Sequence, residues 1–334
     1  MSESVSGEFY EIVELHDREF QKFSIDNEIY CVPVDTVSIF FAFSSPPYGV
    51  QALTPFFWVE RSAERMEEEE RLENQHQILR YLFDGRLYFP PIQYPTKVLD
   101  CGYGRGNWAL EVAQTYPDSE ITAVDVYPTN DLPDDQPDNL EIEAWDLNQP
   151  LTPTYKPNEY DLIHSRLVAP GIQRDRWRGY IRDIVRLLKR GGWVQMAEFY
   201  YIIQSDSGLL TDEHALMQWS NGYRYTMERD RDPRVGRHLG QLMRSAGLVD
   251  VQEVTYRMPI GGWATDPKLQ WVGQQNLENI GTMLDSLAIW PFTARMGWSK
   301  EQVAALTQRA RAEAADLRLK LYIPLTVAWG RKRA

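Results

Sequence analysis

The sequence predicts an α/β protein: a mostly parallel sheet of seven strands with helices on both faces. Two observations lead to this prediction. Between residues 97 and 199, short and nearly continuous apolar runs alternate with helix-like segments, a pattern typical of strands that are covered on both sides. Two further β-rich segments, Val249–Met258 and Leu319–Trp329, follow later in the chain and bring the expected number of strands to seven.

The first five strands are expected where apolar and β-branched residues cluster. These strands are Lys97–Cys101, Glu120–Val126, Leu140–Ala144, Tyr160–His164 and Trp193–Phe199. Helices are expected over Arg61–Phe83, Gly106–Tyr116 and Asp175–Arg190. Pro117 ends the second helix and Gly191 the third, since proline and glycine terminate helices for different steric reasons.

The chain is expected to divide near residue 66. Residues 1–66 are predicted to form an N-terminal extension with an apolar, proline-containing insertion, and residues 67–334 the main domain. Within the extension, Phe9–Leu15 and Glu28–Val34 have β-like composition.

Helical insertions at about 204–247 and 259–315 are expected to cap the sheet and to shape a substrate site. In the second insertion, apolar residues recur at helical spacing, which indicates either a core-facing or a binding helix. These residues are Leu277, Ile280, Leu284 and Leu287. Further on, Ser299–Gln302 has the S-x-x-Q form of a capping box, the start signal of another helix.

Composition excludes several classes of function. The 334 residues carry a formal net charge of −13, so nucleic-acid backbones and anionic membranes would repel the protein. Its two cysteines, Cys31 and Cys101, are too few for a disulfide scaffold or a thiolate zinc site. The first twenty residues contain no signal-like apolar stretch, and no uncharged apolar run reaches about 18 residues. The sequence therefore predicts that the protein binds no metal, no membrane and no nucleic acid directly. The predicted location is the cytoplasm, with the nucleus as the alternative.

The clearest chemical signal is a strand that leads through a glycine-rich turn into a helix, at residues 98–108. Gly102, Gly104 and Gly106 allow positive φ angles and a close approach of the backbone to a ligand. Their G-x-G-x-G spacing places Asn107 where a dinucleotide-binding fingerprint has its third glycine. This departure disfavours NAD, and the absence of a GK[ST] sequence disfavours a Walker phosphate loop.

Acidic residues at successive strand ends favour a cationic nucleoside, S-adenosylmethionine, as the ligand. Asp100 precedes the glycines and would repel a pyrophosphate but not a sulfonium. Asp125 is placed to accept both ribose hydroxyls, and Asp146 to accept from the adenine amine beside the Leu147 N–H. The predicted cofactor site consists of Asp100, Gly102, Gly104, Gly106, Asp125, Asp146 and Leu147.

At these residues the chain resembles the class I, Rossmann-like S-adenosylmethionine-dependent methyltransferases, and more narrowly the fungal LaeA-like methyltransferase family. The narrower resemblance rests on further segments: Glu70–His76, Leu82–Pro91, Tyr160–Arg166, Leu188–Trp193, Gly297–Ser299, and Asp17–Gln21 with Tyr30 and Pro33–Asp35. The resemblance spans most of the chain and implies S-adenosylmethionine as cofactor and methyl transfer as activity.

Two departures from the LaeA-like pattern stand out. About 30 extra residues, Thr36–Met66, are either a lid over the substrate or an artefact of the gene model, and the sequence leaves both interpretations open. Asp17 and Phe20 replace the family's glycine and aromatic hydroxyl, which weakens the expectation that the N-terminus contacts the cofactor.

Methyl transfer from a sulfonium is an in-line displacement that depends mainly on alignment and exclusion of water. A hydroxyl acceptor would gain from a base, and His164 and Glu198, each at a strand end, are the predicted catalytic residues. Both could instead be structural. Aromatic residues are expected as cavity walls, with core packing as the alternative; they are Tyr200, Tyr201, Trp219, Tyr223, Tyr225 and Trp263.

Three functions remain open from the sequence. The first is O- or N-methylation of a small secondary metabolite. The second is a LaeA-like regulator in a nuclear protein complex, with protein partners and a protein acceptor. The third is a cofactor-binding module without transfer, which the complete set of glycines and acids disfavours. Arg331–Arg333 is too short for a convincing nuclear import signal, so the sequence favours the metabolite enzyme.

Overall fold

A computed structural model describes residues 7–34, 67–128 and 136–334. The strands are β1 (Ile12–Leu15), β2 (Arg18–Gln21), β3 (Lys97–Cys101), β4 (Glu120–Asp125), β5 (Leu140–Ala144), β6 (Tyr160–Arg166), β7 (Leu188–Phe199), β8 (Gln204–Ser205), β9 (Val249–Pro259) and β10 (Leu321–Arg331). The α-helices are α1 (Lys22–Asp26), α2 (Glu67–Leu82), α3 (Asn107–Thr115), α4 (Trp177–Leu187), α5 (Ala215–Met227), α6 (Leu239–Ser245), α7 (Pro267–Ser286), α8 (Ile289–Met296) and α9 (Lys300–Ala314).

The main sheet has the order β5-β4-β3-β6-β7-β10, with β9 paired to the outer side of β10. Strands β3 to β7 are parallel, and β10 is antiparallel to both of its long neighbours. The predicted mostly parallel sheet is confirmed, with the two-residue β8 added beside the start of β10. Because the strand order reverses between β3 and β6, their carboxyl ends form a crevice in which such sheets bind ligands.

Helices cover both faces of the sheet, as expected. Val98 packs in a cluster with Trp108 of α3, whereas the next residue, Leu99, packs in a second cluster with Ile181 and Ile184 of α4. Consecutive strand residues point to opposite faces, so both faces are buried. Each helix therefore fixes the carboxyl ends of the strands from one side.

The helix predicted over Asp175–Arg190 is shorter in the structure. It ends at Leu187, and Leu188 already pairs with Tyr160 of β6. A Cβ on Gly192 would lie 2.9 Å from the Tyr160 carbonyl oxygen, so this position must be glycine for the two strands to approach. The glycine pair thus belongs to an irregular start of β7 and not to a helix end.

The N-terminal region forms a hairpin, β1–β2, whose turn residues His16 and Asp17 have positive φ. The β-like segment Glu28–Val34 is not a strand; it contributes only an isolated bridge between Pro33 and Phe20. Residues 35–66, which include the start of the helix predicted over Arg61–Phe83, lie outside the described residues.

The insertion before β10 contains α7, α8 and α9. Ile280 and Leu284 of α7 are buried, and the capping box at Ser299 and Gln302 is confirmed as the start of α9. Over the ranges that the structure describes, no helix is long and apolar enough to cross a bilayer.

Arg231 attaches the N-terminal region to the main domain. Its side chain is 2% exposed and donates to the backbone oxygens of Glu28 and Ile29, the latter at 3.1 Å, and to Pro170 O at 3.2 Å. Arg295 adds an ion pair with the Glu28 carboxylate at 2.8 Å. These contacts hold residues 28–30 against the loop that follows β6.

We expect Arg231→Met to release this region, because the carbonyl oxygens of Glu28, Ile29 and Pro170 would lose their donor, and two of these three bonds are buried. The free energy of unfolding should fall by about 2–5 kcal/mol in urea titrations. Trypsin should cleave the variant faster after Arg18 and Lys22. Arg234→Met is the matched control, since the Arg234 side chain is 47% exposed. Equal trypsin sensitivity of the two variants would contradict the anchoring role.

Candidate active site

A cavity of about 870 Å³ opens at the carboxyl ends of β3, β4 and β6. This volume lies within the range of ligand pockets in proteins, about 300–1,000 Å³. The glycine loop and the segments after β4, β5 and β6 line one part of it, and residues of the N-terminal hairpin, α2, the end of β7 and the end of α7 line the rest. It is thus built from elements that are up to 275 residues apart in sequence, from Ile12 to Leu287.

The glycine loop forms a backbone cradle. Gly102, Gly104 and Gly106 all have positive φ, at 78°, 59° and 78°. A Cβ on Gly102 would lie 2.2 Å from Val168 Cγ1, so no other residue fits there without displacing the Val168 side chain. Gly106 is buried and is the N-cap of α3, while Gly102 and Gly104 line the cavity.

Asp125 ends β4 and lies against the loop. Its Oδ2 accepts from the Gly104 N–H at 2.9 Å, and its Oδ1 accepts from the Tyr127 N–H at 3.1 Å. Burial raises the pKa of Asp125 to about 6, which the two N–H donors oppose. The carboxylate lines the cavity with lone pairs left for two hydroxyl donors, the arrangement that a ribose diol needs.

Asp146 and Leu147 line the cavity next to the end of β5. Asp146 Oδ1 accepts from the backbone N–H and the side-chain amide of Asn148, each at 2.9 Å. This turn fixes the carboxylate, and the Leu147 carbonyl is in turn fixed by Arg176 Nε at 3.1 Å. Asp146 can still accept from an amine, because a carboxylate offers about four lone-pair sites.

Asp100 and His164 do not line the cavity. Each is 2% exposed, and His164 Nδ1 donates to Asp100 Oδ1 at 2.8 Å. The His164 ring stacks on Trp108 at 3.7 Å between centroids. Burial lowers the pKa of His164, although the Asp100 charge opposes this, so the imidazole is neutral near pH 7. The pair connects β3 to β6 beneath the loop and cannot reach an acceptor.

Glu198 does not line the cavity either. It is 0% exposed, and its two carboxylate oxygens accept from the backbone N–H groups of Val168 and Ala169 at 2.9 and 3.2 Å. Burial raises its pKa to about 8, which these two N–H donors oppose. The side chain holds the loop after β6, where the non-glycine Leu167 has a φ of 59°.

The structure therefore brings together five of the nine predicted site residues at the cavity surface, Gly102, Gly104, Asp125, Asp146 and Leu147. Asp100, Gly106, His164 and Glu198 lie in the layer beneath it. Across the described ranges, no group of three His, Cys, Asp or Glu side chains has an arrangement that could hold a metal ion.

Of the aromatic residues expected as walls, only Tyr201 lines the cavity. Trp219 and Tyr223 stack on each other in the core, and Tyr225 is 63% exposed. Sequence reasoning missed most of the remaining wall, notably Arg71, Arg166, Phe199 and Met283. Arg71 and Arg166 lie in segments that carry the family resemblance, but nothing in their local pattern indicated a role.

Gly102→Ala should abolish measurable binding of S-adenosylmethionine in calorimetric titration and lower the free energy of unfolding by about 2–4 kcal/mol, since strain and a clash combine. Gly104→Ala is the matched control: it has the same backbone strain, but its Cβ would meet Leu72 only at 3.7 Å. The free energy of unfolding of this control should fall by about 1 kcal/mol. The double variant Gly102→Ala/Val168→Ala should regain part of the stability that Gly102→Ala loses. If the two glycine variants behave alike, the close contact with Val168 does not matter.

Glu198→Gln should flatten the dependence of stability on pH. The folded protein keeps the Glu198 proton up to about pH 8, whereas the unfolded chain loses it near its ordinary value of 4.5. Between these values unfolding releases a proton, so this group makes the wild type less stable as pH rises, by at most about 1.4 kcal/mol per pH unit. Urea titrations between pH 5 and 8 should show that slope in the wild type relative to the variant. If the free energy of unfolding changes with pH equally in the wild type and the variant, Glu198 is not the group responsible.

Comparisons with known proteins agree with this geometry. Residues 74–253 match the family model described as methyltransferase domain. The chain is 28% identical over 293 residues to the probable methyltransferase tdiE of Emericella nidulans, covering 85% of this chain and 88% of that protein. It is 26% identical over 274 residues to the secondary metabolism regulator laeA of Fusarium oxysporum f. sp. lycopersici, covering 80% and 85%.

Among solved structures, phosphoethanolamine N-methyltransferase 2 of Haemonchus contortus, in complex with S-adenosyl-L-methionine, aligns with a TM-score of 0.47 at 16% identity. That alignment covers 78% of this chain and 53% of the other, so the chain spans about half the length of that protein. The family match covers more than half of the 334 residues. The chain therefore belongs to the methyltransferase domain family, as a class I S-adenosylmethionine-dependent methyltransferase of the LaeA-like group.

Proposed function

We propose that the protein transfers the methyl group of S-adenosylmethionine to an oxygen or nitrogen of a small secondary metabolite, in the cytoplasm. The observation that carries the proposal is the composition of the cavity. One continuous space has a glycine cradle and two carboxylates on one part of its wall and buried apolar side chains such as Phe199 and Met283 on another. A cofactor and a small apolar acceptor can therefore share it.

The residues at the cavity surface fit the cofactor. When bound, S-adenosylmethionine supplies an electrophilic methyl group on a sulfonium. The backbone of Gly102 and Gly104 leaves room for its methionine part, Asp125 accepts from the ribose hydroxyls, and Asp146 accepts from the adenine amine beside the Leu147 N–H. The carboxylates also favour a ligand that carries positive charge at its centre.

Residues beneath the surface position those that bind. The Asp100–His164 pair fixes β3 against β6, and Asp100 adds negative charge below the loop. Glu198 fixes the backbone of Val168 and Ala169, and with it the wall that touches Gly102. We assign positioning roles to His164 and Glu198, because neither lines the cavity.

A regulatory role with a protein acceptor in a nuclear complex is the second candidate. It is favoured by one of the named relatives, a secondary metabolism regulator, while another relative is named only as a methyltransferase. The N-terminal hairpin and residues 29–34 line the cavity and narrow the space available to an acceptor, which favours a small molecule over a polypeptide.

The two candidates differ in where the methyl group goes. Purified protein would be incubated with methyl-labelled S-adenosylmethionine and an extract of a fungal culture, separated by ultrafiltration into small molecules and proteins. We expect label in the small-molecule fraction with the wild type and none with Gly102→Ala. Label confined to the protein fraction would overturn the proposal in favour of the regulator. Cofactor binding without any labelled product would favour the module that transfers nothing.

Asp125 should make cofactor binding depend on pH. Its pKa is about 6 in the free protein, and hydroxyl donors stabilise the charged form, so binding lowers that pKa and releases a proton. The affinity should therefore fall as pH drops below about 6, by up to tenfold per pH unit. Calorimetric titrations between pH 5 and 7 would measure this. Asp125→Asn should bind about ten to a hundred times more weakly and without this dependence. A pH dependence retained in the variant would assign it to another group.

A further inference from the structure

One part of the cavity wall has a chemistry that the cofactor-binding residues do not explain. It is formed by α2 and by the ends of α7 and β7, and most of its side chains are apolar or aromatic. The buried members are Arg71, Gln75, Phe199, Tyr201, Met283, Ser286 and Leu287. Among the buried residues in the described lining, Arg71 carries the one positive charge.

A chain of buried amides orients Arg71. Its Nη1 donates to Asn279 Oδ1 at 3.4 Å, Asn279 Nδ2 donates to Asn276 Oδ1 at 3.1 Å, and Asn276 Nδ2 donates to the Pro259 carbonyl at 2.8 Å. Both asparagines are at most 1% exposed. This chain connects the guanidinium to the backbone of β9, so its position is set by the main domain.

Arg71 and the aromatic residues Phe199 and Tyr201 line the same cavity. Burial raises the pKa of Tyr201 well above its ordinary value, and the positive charge of Arg71 opposes that shift, so the two groups are within electrostatic reach. The next residue, Leu72, faces the glycine loop at 3.7 Å from the position of a Cβ on Gly104. Arg71 therefore lines the same cavity as the glycine cradle and the apolar wall.

We propose, on the basis of the function proposed above, that Arg71 binds the reacting oxygen of a planar acceptor with an acidic hydroxyl, a phenol or an enol, and holds it as the anion. A guanidinium is a planar, permanently charged donor that matches an oxyanion. The described lining contains no histidine, lysine or cysteine that could serve as base. An adjacent positive charge can replace a base, because it lowers the pKa of the bound hydroxyl and so favours its ionised form.

The step balances without a protein base. The hydroxyl proton leaves to solvent when the acceptor binds, so the oxygen enters the reaction as an anion. This oxygen forms a bond to the methyl carbon as the carbon–sulfur bond breaks, and the electron pair of that bond remains on sulfur. Negative and positive charge cancel, and the neutral methyl ether loses its attraction to Arg71, which favours release of the product.

The test uses 7-hydroxycoumarin and 2-naphthol, planar phenols whose ionised forms have distinct absorption spectra, and 7-methoxycoumarin, which cannot ionise. Each is titrated into the full-length protein saturated with S-adenosylhomocysteine at pH 7. We expect the wild type to bind the phenols as phenolates and more tightly than the methyl ether. Arg71→Gln should weaken phenolate binding about tenfold or more, and Arg71→Lys should retain most of it.

Two controls test whether the effect is specific to Arg71. Arg18→Gln removes a positive charge from the hairpin side of the same cavity and should weaken phenolate binding much less than Arg71→Gln does. If both variants lose phenolate affinity equally, the overall positive charge of the cavity explains the binding, and the proposal is overturned. Melting curves check that each variant is folded, and Arg71→Lys keeps the test valid if Arg71→Gln is unstable.

The cofactor is titrated separately for each variant. If Arg71→Gln weakens S-adenosylhomocysteine binding and leaves phenolate binding intact, Arg71 serves the carboxylate of the cofactor and the proposal is wrong. Absence of phenolate binding by the wild type would also overturn it. A wild type that binds no S-adenosylhomocysteine would instead contradict the proposed function itself, so the two failures are distinguishable.

Discussion

The contact between Gly102 and Val168 determines how the rest of the site is arranged. A valine methyl group occupies the space where any side chain at position 102 would lie, so the loop after β3 packs directly on the loop after β6. The second loop is held by the Glu198 carboxylate, which accepts from two successive N–H groups. The carboxyl ends of β3, β6 and β7 are therefore fixed together. Asp125 is joined to the same glycine loop, because the Gly104 N–H donates to its carboxylate.

Buried ionisable groups in this protein act mainly on the backbone and on each other. Asp100 and His164 form a hydrogen-bonded pair closed off by Trp108, and Glu198 binds a loop. His164 and Glu198, the two residues predicted as bases, are thus withdrawn from the cavity surface. This arrangement suits a reaction that cancels charge, since alignment and exclusion of water contribute more to its rate than proton transfer does.

Local patterns were sufficient to predict the sheet and the part of the site that follows its strands. The glycine loop, Asp125 and Asp146 each lie directly after a strand, and the carboxyl ends of parallel strands meet at one edge. The same logic does not determine where the side chains of His164 and Glu198 point, because a position near a strand end does not say whether a side chain points into the crevice or into the layer beneath. The helix end predicted at Gly191 was wrong because a glycine pair also permits two strands to approach closely.

The remaining walls depend on contacts between distant residues. Arg71 meets Asn279 across 208 positions, and no local periodicity predicts such a pair. The N-terminal residues join the cavity through Arg231, 203 positions after Glu28. Sequence alone could indicate that an extension existed but not that it formed part of the site.

The attachment of this N-terminal region has a consequence for how the cavity can change. Two of its anchors, the oxygens of Glu28 and Ile29 that accept from Arg231, belong to the backbone. Neighbouring side chains, including Tyr30, face the cavity without being needed for those two bonds. Substitutions can therefore change the side chains of this wall while its backbone stays in place. New acceptor preferences can arise in this way without changes to the cofactor site.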